Sequence, residues 1–283
     1  MGGDGAMEWR DELGFRLDLD QAPQRIVSLV PSLTETLFAL GLDRQVVGVT
    51  KFCVEPADAV ASIEKVGGTK NPDLRAIAAL QPDLIIANAE ENRQQDVERM
   101  RARGLKVFVT YPRTVSGALE SILGLGRVTH REPDAAALAR EIVRVVSVIE
   151  TSLGIWNKLR LRVFCPIWKK PWMTFNEDTY AHDVLRMLGF LNVFGDATDR
   201  YPRTTLQEAL DRRVQVILLP DEPYEFGDAD LAELKAELPP GLSRRIMQIS
   251  GRDLHWYGVH MIKGLPVLAE RLGRLRASVT PAG

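Results

Sequence analysis

Residues 132–160, EPDAAALAREIVRVVSVIETSLGIWNKLR, decide how the chain is organised. Pro133 suits a first helical position, where its missing N–H costs nothing, and no strong breaker follows until Gly154. Ala137, Ile142, Val145, Val146 and Ile149 keep a helical spacing. The spacing predicts one helix of about 22–26 residues, roughly 35 Å long and twice a common globular helix. Such a length is explained if the helix connects two lobes as a strut.

The stretches before it repeat one logic. "RIVSLV" (25–30) is a continuous apolar run with β-branched residues, which predicts a buried strand. Pro31 stops it, and "SLTE" (32–35) reads as a capping box with Ser32 at the N-cap and Glu35 at N3. The helix runs to Gly41, a C′ residue, and "QVVGVT" (45–50) is a strand leading into the loop "KFCVEP". Asn71 caps a further helix, with Pro72 at N1 and a stripe of Leu74, Ile77, Ala78 and Leu80. "DLIIAN" (83–88) is a strand, "EENRQQDVERMRARG" a charged helix ending at Gly104, and "KVFVTY" (106–111) a strand. Alternating strands and helices predict parallel pairing and an α/β lobe over 8–129.

The order resumes after the long helix. "RVFCPI" (162–167), "VQVILLP" (214–220) and "IMQIS" (246–250) read as strands. "TYAHDVLRMLG" (179–189), "TLQEALDRR" (205–213) and "DADLAELKAEL" (228–238) read as helices, and a last helix covers 257–277. The succession helix, strand, loop, helix, strand in 72–111 recurs in 205–250, which predicts a second lobe of similar topology over 160–279. One stretch breaks the pattern: "RVFCPIWKKPWMTF" (162–175) puts Trp168, Lys169, Lys170 and Trp172 where small polar loop residues are expected.

Composition narrows the function. The 283 residues, 45% hydrophobic and 26% charged, are enough for two domains with their own cores. A net charge of −2 argues against nucleic-acid binding, which needs a basic excess. No window approaches the roughly 20 apolar residues that span a bilayer. "MGGDGA" reads as an addition ahead of a start at Met7, and "MGGDGAMEWRDELGF" lacks the parts of a signal peptide. A cytoplasmic location is expected as written, and a periplasmic or membrane-associated extracellular one if the sequence is trimmed. Cys53 and Cys165 lie far apart without metal-ligand spacing and read as unbridged thiols, Cys53 in a loop.

"RIVSLVPSLTETLFALGL…VVGVT", "VGGTKNPDLRAIAALQPDLIIAN" and "GLKVFV", followed by one long helix, resemble the cobalamin/iron-siderophore (Fe/B12) class of periplasmic substrate-binding proteins. These are the helical-backbone receptors that serve ABC importers. The resemblance covers roughly residues 8–275 and implies the class III fold: two Rossmann-like α/β lobes with central parallel sheets (8–129 and 160–279), joined by one rigid helix (132–158). It implies a non-enzymatic binding protein, probed most directly with cobalamin, then haem, then ferric siderophore, and no catalytic cofactor.

The resemblance also places the ligand between the lobes, at loops following the carboxyl ends of the strands, where open α/β sheets bind ligands. On the first lobe those loops hold Ser32 beside Pro31, Lys51 and Phe52 beside Cys53, Thr69 and Lys70, and Asn88 and Glu90 beside Glu91. On the second they hold Trp168, Lys169 and Trp172, Tyr201, Glu222 and Tyr224 beside Phe226, and His255, Trp256 and Tyr257. Flat aromatic faces suit a rigid, partly apolar ligand, and lysines suit its carboxylate or phosphate groups. No two-histidine metal site is expected, because His255 and His260 at i and i+5 do not share a helical face, which leaves His255 or Tyr257 as the alternative, an axial ligand to the iron or cobalt of a bound ligand.

Receptors of this kind carry an exposed glutamate on each lobe that pairs with permease arginines. The best-matching positions here are Gln94 and Gln207, whose amides cannot form that charge-assisted pair, with neighbouring Asp96 or Glu208 as the alternative if the register shifts by one or two. A monomer with a small-molecule ligand is expected, with an ABC permease as the conditional partner and no nucleic acid. The alternative is a cytoplasmic enzyme reusing the fold on a small anionic substrate through Lys51, Lys70 or Lys169 with Glu90 or Glu222. Against it, the sequence holds no P-loop, no nucleotide-binding glycine motif after a strand and no Ser-His-Asp order.

Overall fold

The computed structural model describes residues 8–19, 21–154 and 160–279. The reading of a start at Met7 and the residues 155–158 of the expected strut lie outside them. The chain forms two compact units: Met1–Pro112, Ser116–Glu141 and Tyr257–Val259 in the first, Arg113–Val115, Ile142–Trp256 and His260–Gly283 in the second.

The first unit opens with an antiparallel hairpin, β1 (Glu8–Arg10) and β2 (Arg16–Asp18). There follow β3 (Ile26–Ser28), α1 (Pro31–Ala39), β4 (Val46–Val49), α2 (Ala57–Val60), β5 (Glu64–Lys65), α3 (Leu74–Ala79), β6 (Leu84–Asn88), α4 (Gln94–Ala102) and β7 (Val107–Thr110). The strands from β3 to β7 make one parallel sheet in the order β5-β4-β3-β6-β7. Every residue of β3, β6 and β7 is buried, as a parallel sheet covered on both faces requires. Val27, Ile85 and Val107 pack with Ile77, Val97 and Met100, and each such side chain stabilises by about 1.5–3 kcal/mol.

Next come α5 (Val115–Val128) and α6 (Glu132–Leu153). The 22 residues of α6 measure about 33 Å. The helix is shared, Glu132–Glu141 counting with the first unit and Ile142–Leu153 with the second. Its buried stripe is Ala135, Leu138, Ala139, Ile142 and Ile149, while Ala137 is exposed, so the expected stripe begins on the wrong residue.

The second unit contains β8 (Leu161–Phe164), β9 (Trp172–Met173), α7 (Tyr180–Met187), β10 (Phe190–Asn192), β11 (Arg203–Thr204), α8 (Leu206–Asp211) and β12 (Val216–Pro220). It continues through α9 (Asp228–Glu237), α10 (Pro240–Ser243), β13 (Ile246–Ile249), α11 (Gly251–His255) and α12 (Met261–Val279). Its sheet is parallel, in the order β10-β8-β12-β13. The α/β class with two parallel sheets is as expected, and α3-β6-α4-β7 has its counterpart in α8-β12-α9-β13.

Both sheets grow outward from a central strand in two directions. β3 is followed by β4 and β5 on one side and by β6 and β7 on the other, and β8 is flanked likewise by β10 and β12. Loops leaving β3 and β6, and loops leaving β8 and β12, therefore diverge at the carboxyl edge and open a crevice there.

Two expected helix starts move. Pro31 is N1 of α1 and Val30 its N-cap, at φ −139° and ψ 132°, so Ser32 lies inside the helix and caps nothing. The residue before proline is driven to extended backbone, which sets the start there. Pro72 bridges to Gly67, and the cap of α3 is Asp73 rather than Asn71. The Asp73 carboxylate accepts from the N–H groups of Arg75 and Ala76, and those bonds hold its pKa below the usual value.

Candidate functional site

On the first unit the loop after β4 is anchored from below. Cys53 Sγ lies 3.2 Å from both Thr34 Oγ1 and Thr50 Oγ1 and is buried, so the thiol packs inside and offers nothing to a ligand. Its backbone N–H donates to Thr50 O at 3.1 Å, a tight turn that leaves Lys51 and Phe52 outside. Phe52 is 52% exposed, and the Lys51 ammonium stands 5.1 Å from its ring centroid.

The neighbouring loops are stitched by polar groups. Lys51 N–H donates to Gly67 O at 2.9 Å, and Asn92 Nδ2 donates to Thr69 O at 2.9 Å. Asn88 Oδ1 accepts from Glu90 N–H at 2.8 Å and Glu91 N–H at 3.0 Å, an Asx turn at the end of β6. Asn88 Nδ2 donates to Tyr257 Oη at 2.9 Å, and that phenol lies 2.7 Å from Thr110 Oγ1. Burial pushes the Tyr257 pKa well up. Lys70 donates to the carbonyl of Glu90.

The seven contacts expected on this unit, together with Tyr257, which is expected on the second lobe but counts with the first unit, fall into two groups. Lys51, Phe52, Lys70 and Glu90 keep accessible surface, whereas Thr69, Asn88 and Tyr257 are buried and hold the loops together, and Ser32 is buried inside α1, its carbonyl accepting from Thr36 Oγ1. The segment Tyr257–Val259 is locked further by Val259 N–H donating to Thr36 Oγ1 at 3.2 Å. Gly258 is required there: its φ is +90°, and a Cβ would sit 2.0 Å from Thr36 Oγ1.

On the second unit, the run 167–173 is a tight hairpin rather than an open loop. Ile167 N–H donates to Met173 O at 2.8 Å and Met173 N–H to Trp168 O at 3.1 Å, while β9 pairs with β11. Trp172 stacks on Phe226 at 5.9 Å and meets the edge of Phe164 at 6.3 Å. Trp168 meets Tyr224 edge-on at 5.4 Å, and Tyr224 lies 4.7 Å from Phe226. Trp172 thereby joins the core that holds Val193 and Ile217, and Trp168 stays 44% exposed.

Lys169 differs from its expected role. Its side chain is 4% exposed, with Nζ 2.6 Å from Asp230 Oδ1 and 2.6 Å from Glu233 Oε2. Burial pulls its pKa down, but the two charge-assisted bonds outweigh it and raise the value. The ammonium is committed to α9 and does not face a ligand as a free cation. A cavity of about 310 Å³ adjoins it, lined in part by Trp172, Thr204, Thr205 and Glu237.

At the end of α11, His255 turns its ring edge-on to Phe175 at 6.1 Å, and its buried Nε2 meets no hydrogen-bond partner among the described residues. Burial lowers its pKa to about 4, so the ring is neutral near pH 7. Trp256 lies under the Arg252 guanidinium at 5.0 Å, and Arg252 Nε is 3.9 Å from Glu222 Oε2. Tyr201 is 38% exposed beside Arg200, whose guanidinium is 6.0 Å from its ring. Sequence reading missed Arg252, three residues ahead of His255 in a run noticed only for its aromatics.

Gln94 and Gln207 are exposed on α4 and α8, and each amide donates to a carboxylate one turn on, Glu98 at 2.7 Å and Asp211 at 2.9 Å. Among the described residues no group of three or more His, Cys, Asp and Glu is placed to hold a metal ion, and no helix is long and apolar enough to cross a membrane. A second cavity, about 420 Å³, is lined by Val148, Ile149, Leu153, Pro266 and Ala269 of α6 and α12 and by none of the expected site residues.

Two α/β units with polar and aromatic side chains gathered at the carboxyl edges of parallel sheets define a ligand-binding class of fold. The periplasmic binding protein family matches residues 26–242, and the chain belongs to it. It is 26% identical over 201 residues to the vitamin B12-binding protein of Pectobacterium carotovorum, covering 71% of this chain and 72% of that one. Against the vitamin B12-binding protein of Vibrio parahaemolyticus the identity is 25% over 216 residues, 76% and 77% of the two chains. Among solved structures, the periplasmic vitamin B12-binding protein BtuF of Vibrio cholerae has the same fold, with a TM-score of 0.77, 20% identity and coverage of 90% and 98%. The periplasmic heme-binding protein BhuT in complex with two hemes gives 0.74, 24%, 90% and 99%.

Proposed function

We propose that the chain is a non-enzymatic receptor for a cobalamin-like ligand, held by the loops at the carboxyl edges of its two sheets, with haem and ferric siderophore as the next ligands to test. The observation that carries this reading is the exposure of Phe52 and Trp168, two large aromatic faces in loops after β4 and β8, in a chain of this family. Aromatic rings give large apolar contact at low rotamer cost, which a rigid macrocycle can use. The relatives named for vitamin B12 put cobalamin first.

A permease partner belongs to the same proposal, as does a place outside the cytoplasm. The family favours that place over the cytoplasmic expectation. At Gln94 and Gln207 such a partner would meet amides, not carboxylates.

The test is a melting series of the full chain with cyanocobalamin, haemin and a ferric hydroxamate. A ligand at about 100 times its Kd adds about 2.7 kcal/mol of stability and raises Tm accordingly. Cyanocobalamin is expected to give the largest rise. No rise with any of the three would refute the ligand class.

A further inference from the structure

We propose that Lys51 selects the ligand by an anionic group on its rim, so that the first unit's face takes a flat, largely apolar ring system bearing a carboxylate or phosphate. The inference rests on the receptor reading above and adds which cation meets the anion. The structure sorts the three lysines expected to serve. Lys169 is buried against Asp230 and Glu233, and Lys70 donates to the carbonyl of Glu90. Among the described residues, Lys51 Nζ has neither an acid nor a carbonyl beside it; its neighbour is the ring of Phe52.

The pair is fixed in place. Lys51 N–H is bonded to Gly67 O at 2.9 Å, and the Phe52 ring lies against Gly68, where a Cβ would come within 3.4 Å of it. The result is an exposed aromatic face with an ammonium over it, in the loop that leaves β4. A neutral apolar ligand covering this face would gain from Phe52 but strip water from an uncompensated ammonium, which costs free energy. A ligand with an anion beside its ring recovers that cost through a charge-assisted bond.

Lys51→Glu and Lys51→Arg full-length proteins test the assignment. Their affinities are measured for two anion-bearing probes, cyanocobalamin and haemin, and for dicyanocobinamide, a corrin without the phosphate. Lys51→Glu is expected to weaken an anion-bearing probe by about tenfold or more and Lys51→Arg by less than about threefold, with cobinamide nearly indifferent. The apo Tm should not move, because Lys51 is exposed. Undiminished binding by Lys51→Glu, or an equal loss with cobinamide, would overturn the role of Lys51 and leave the receptor reading intact. Failure of every probe to bind the wild-type chain would remove that reading and this inference together.

Discussion

The carboxyl-edge loops of the two units are held by different forces. In the first, buried polar groups do the work: Asn88 ties the end of β6 to Thr110 and Tyr257 and holds the turn at Glu90. In the second, rings pack on rings, from Trp168 through Tyr224 and Phe226 to Trp172. Directional bonds fix loops with little bulk and leave Lys51, Phe52 and Lys70 at the surface. Ring packing fixes a hairpin and leaves part of an aromatic face exposed. The contrast predicts that single substitutions hurt the first unit by orphaning partners and the second by removing contact area.

Asn88→Ala is expected to have the largest effect. It removes one hydrogen bond at Tyr257 Oη and one at Thr110 O and takes the acceptor from the backbone N–H groups of Glu90 and Glu91, costing about 3 kcal/mol in urea unfolding. A loss under about 1 kcal/mol would show that water replaces the amide and that the stitch is not the restraint. Trp172→Ala comes next, at about 2 kcal/mol for its stack on Phe226, while Trp168→Ala should cost under about 0.5 kcal/mol yet weaken ligand binding. Equal stability losses at both tryptophans would erase the distinction between a structural and a presenting ring.

Lys169→Met should cost about 1 kcal/mol, since it leaves Asp230 beside Glu233 while solvent screens the more exposed acid. The same pair sets an acid limb. Burial opposes it, but the Lys169 bond holds the Asp230 pKa below the ordinary carboxylate value. That stability is complete above the unfolded value and is lost as pH falls through the folded one. The variant should flatten the acid limb, and an unchanged limb would mean the pair is idle.

A last effect, confined to acidic pH, concerns His255. Its folded pKa of about 4 lies below that of the unfolded imidazole, so the unfolded chain takes the extra proton first as pH falls. Stability is complete above about pH 6.5 and declines toward about pH 4. In His255→Gln the Tm difference between about pH 7.5 and about pH 5 should shrink. No change in that difference would mean the ring is solvated.

Much of this architecture is legible in the sequence, because parallel strands buried on both faces write continuous apolar runs such as "DLIIAN" and "VQVILLP". The two-residue strands β9 and β11 are not legible, since so short a run carries no periodicity. Nor are partners distant in sequence: Asp230 and Glu233 lie 61 and 64 residues from Lys169. The aromatic run 168–172 flags unusual loop chemistry, but only the fold separates Trp172, half-buried against the core, from Trp168 at the surface. Likewise Tyr257 and Asn88 look like contacts in sequence and are fasteners in the fold.

Hydrogen exchange of the full chain with and without saturating cyanocobalamin addresses the central claim most directly. Protection is expected in the loops around residues 51–54, 67–71, 166–173 and 221–226. Protection confined to α6 and α12 beside the cavity of Val148 and Pro266, or none anywhere, would contradict a site at the carboxyl edges.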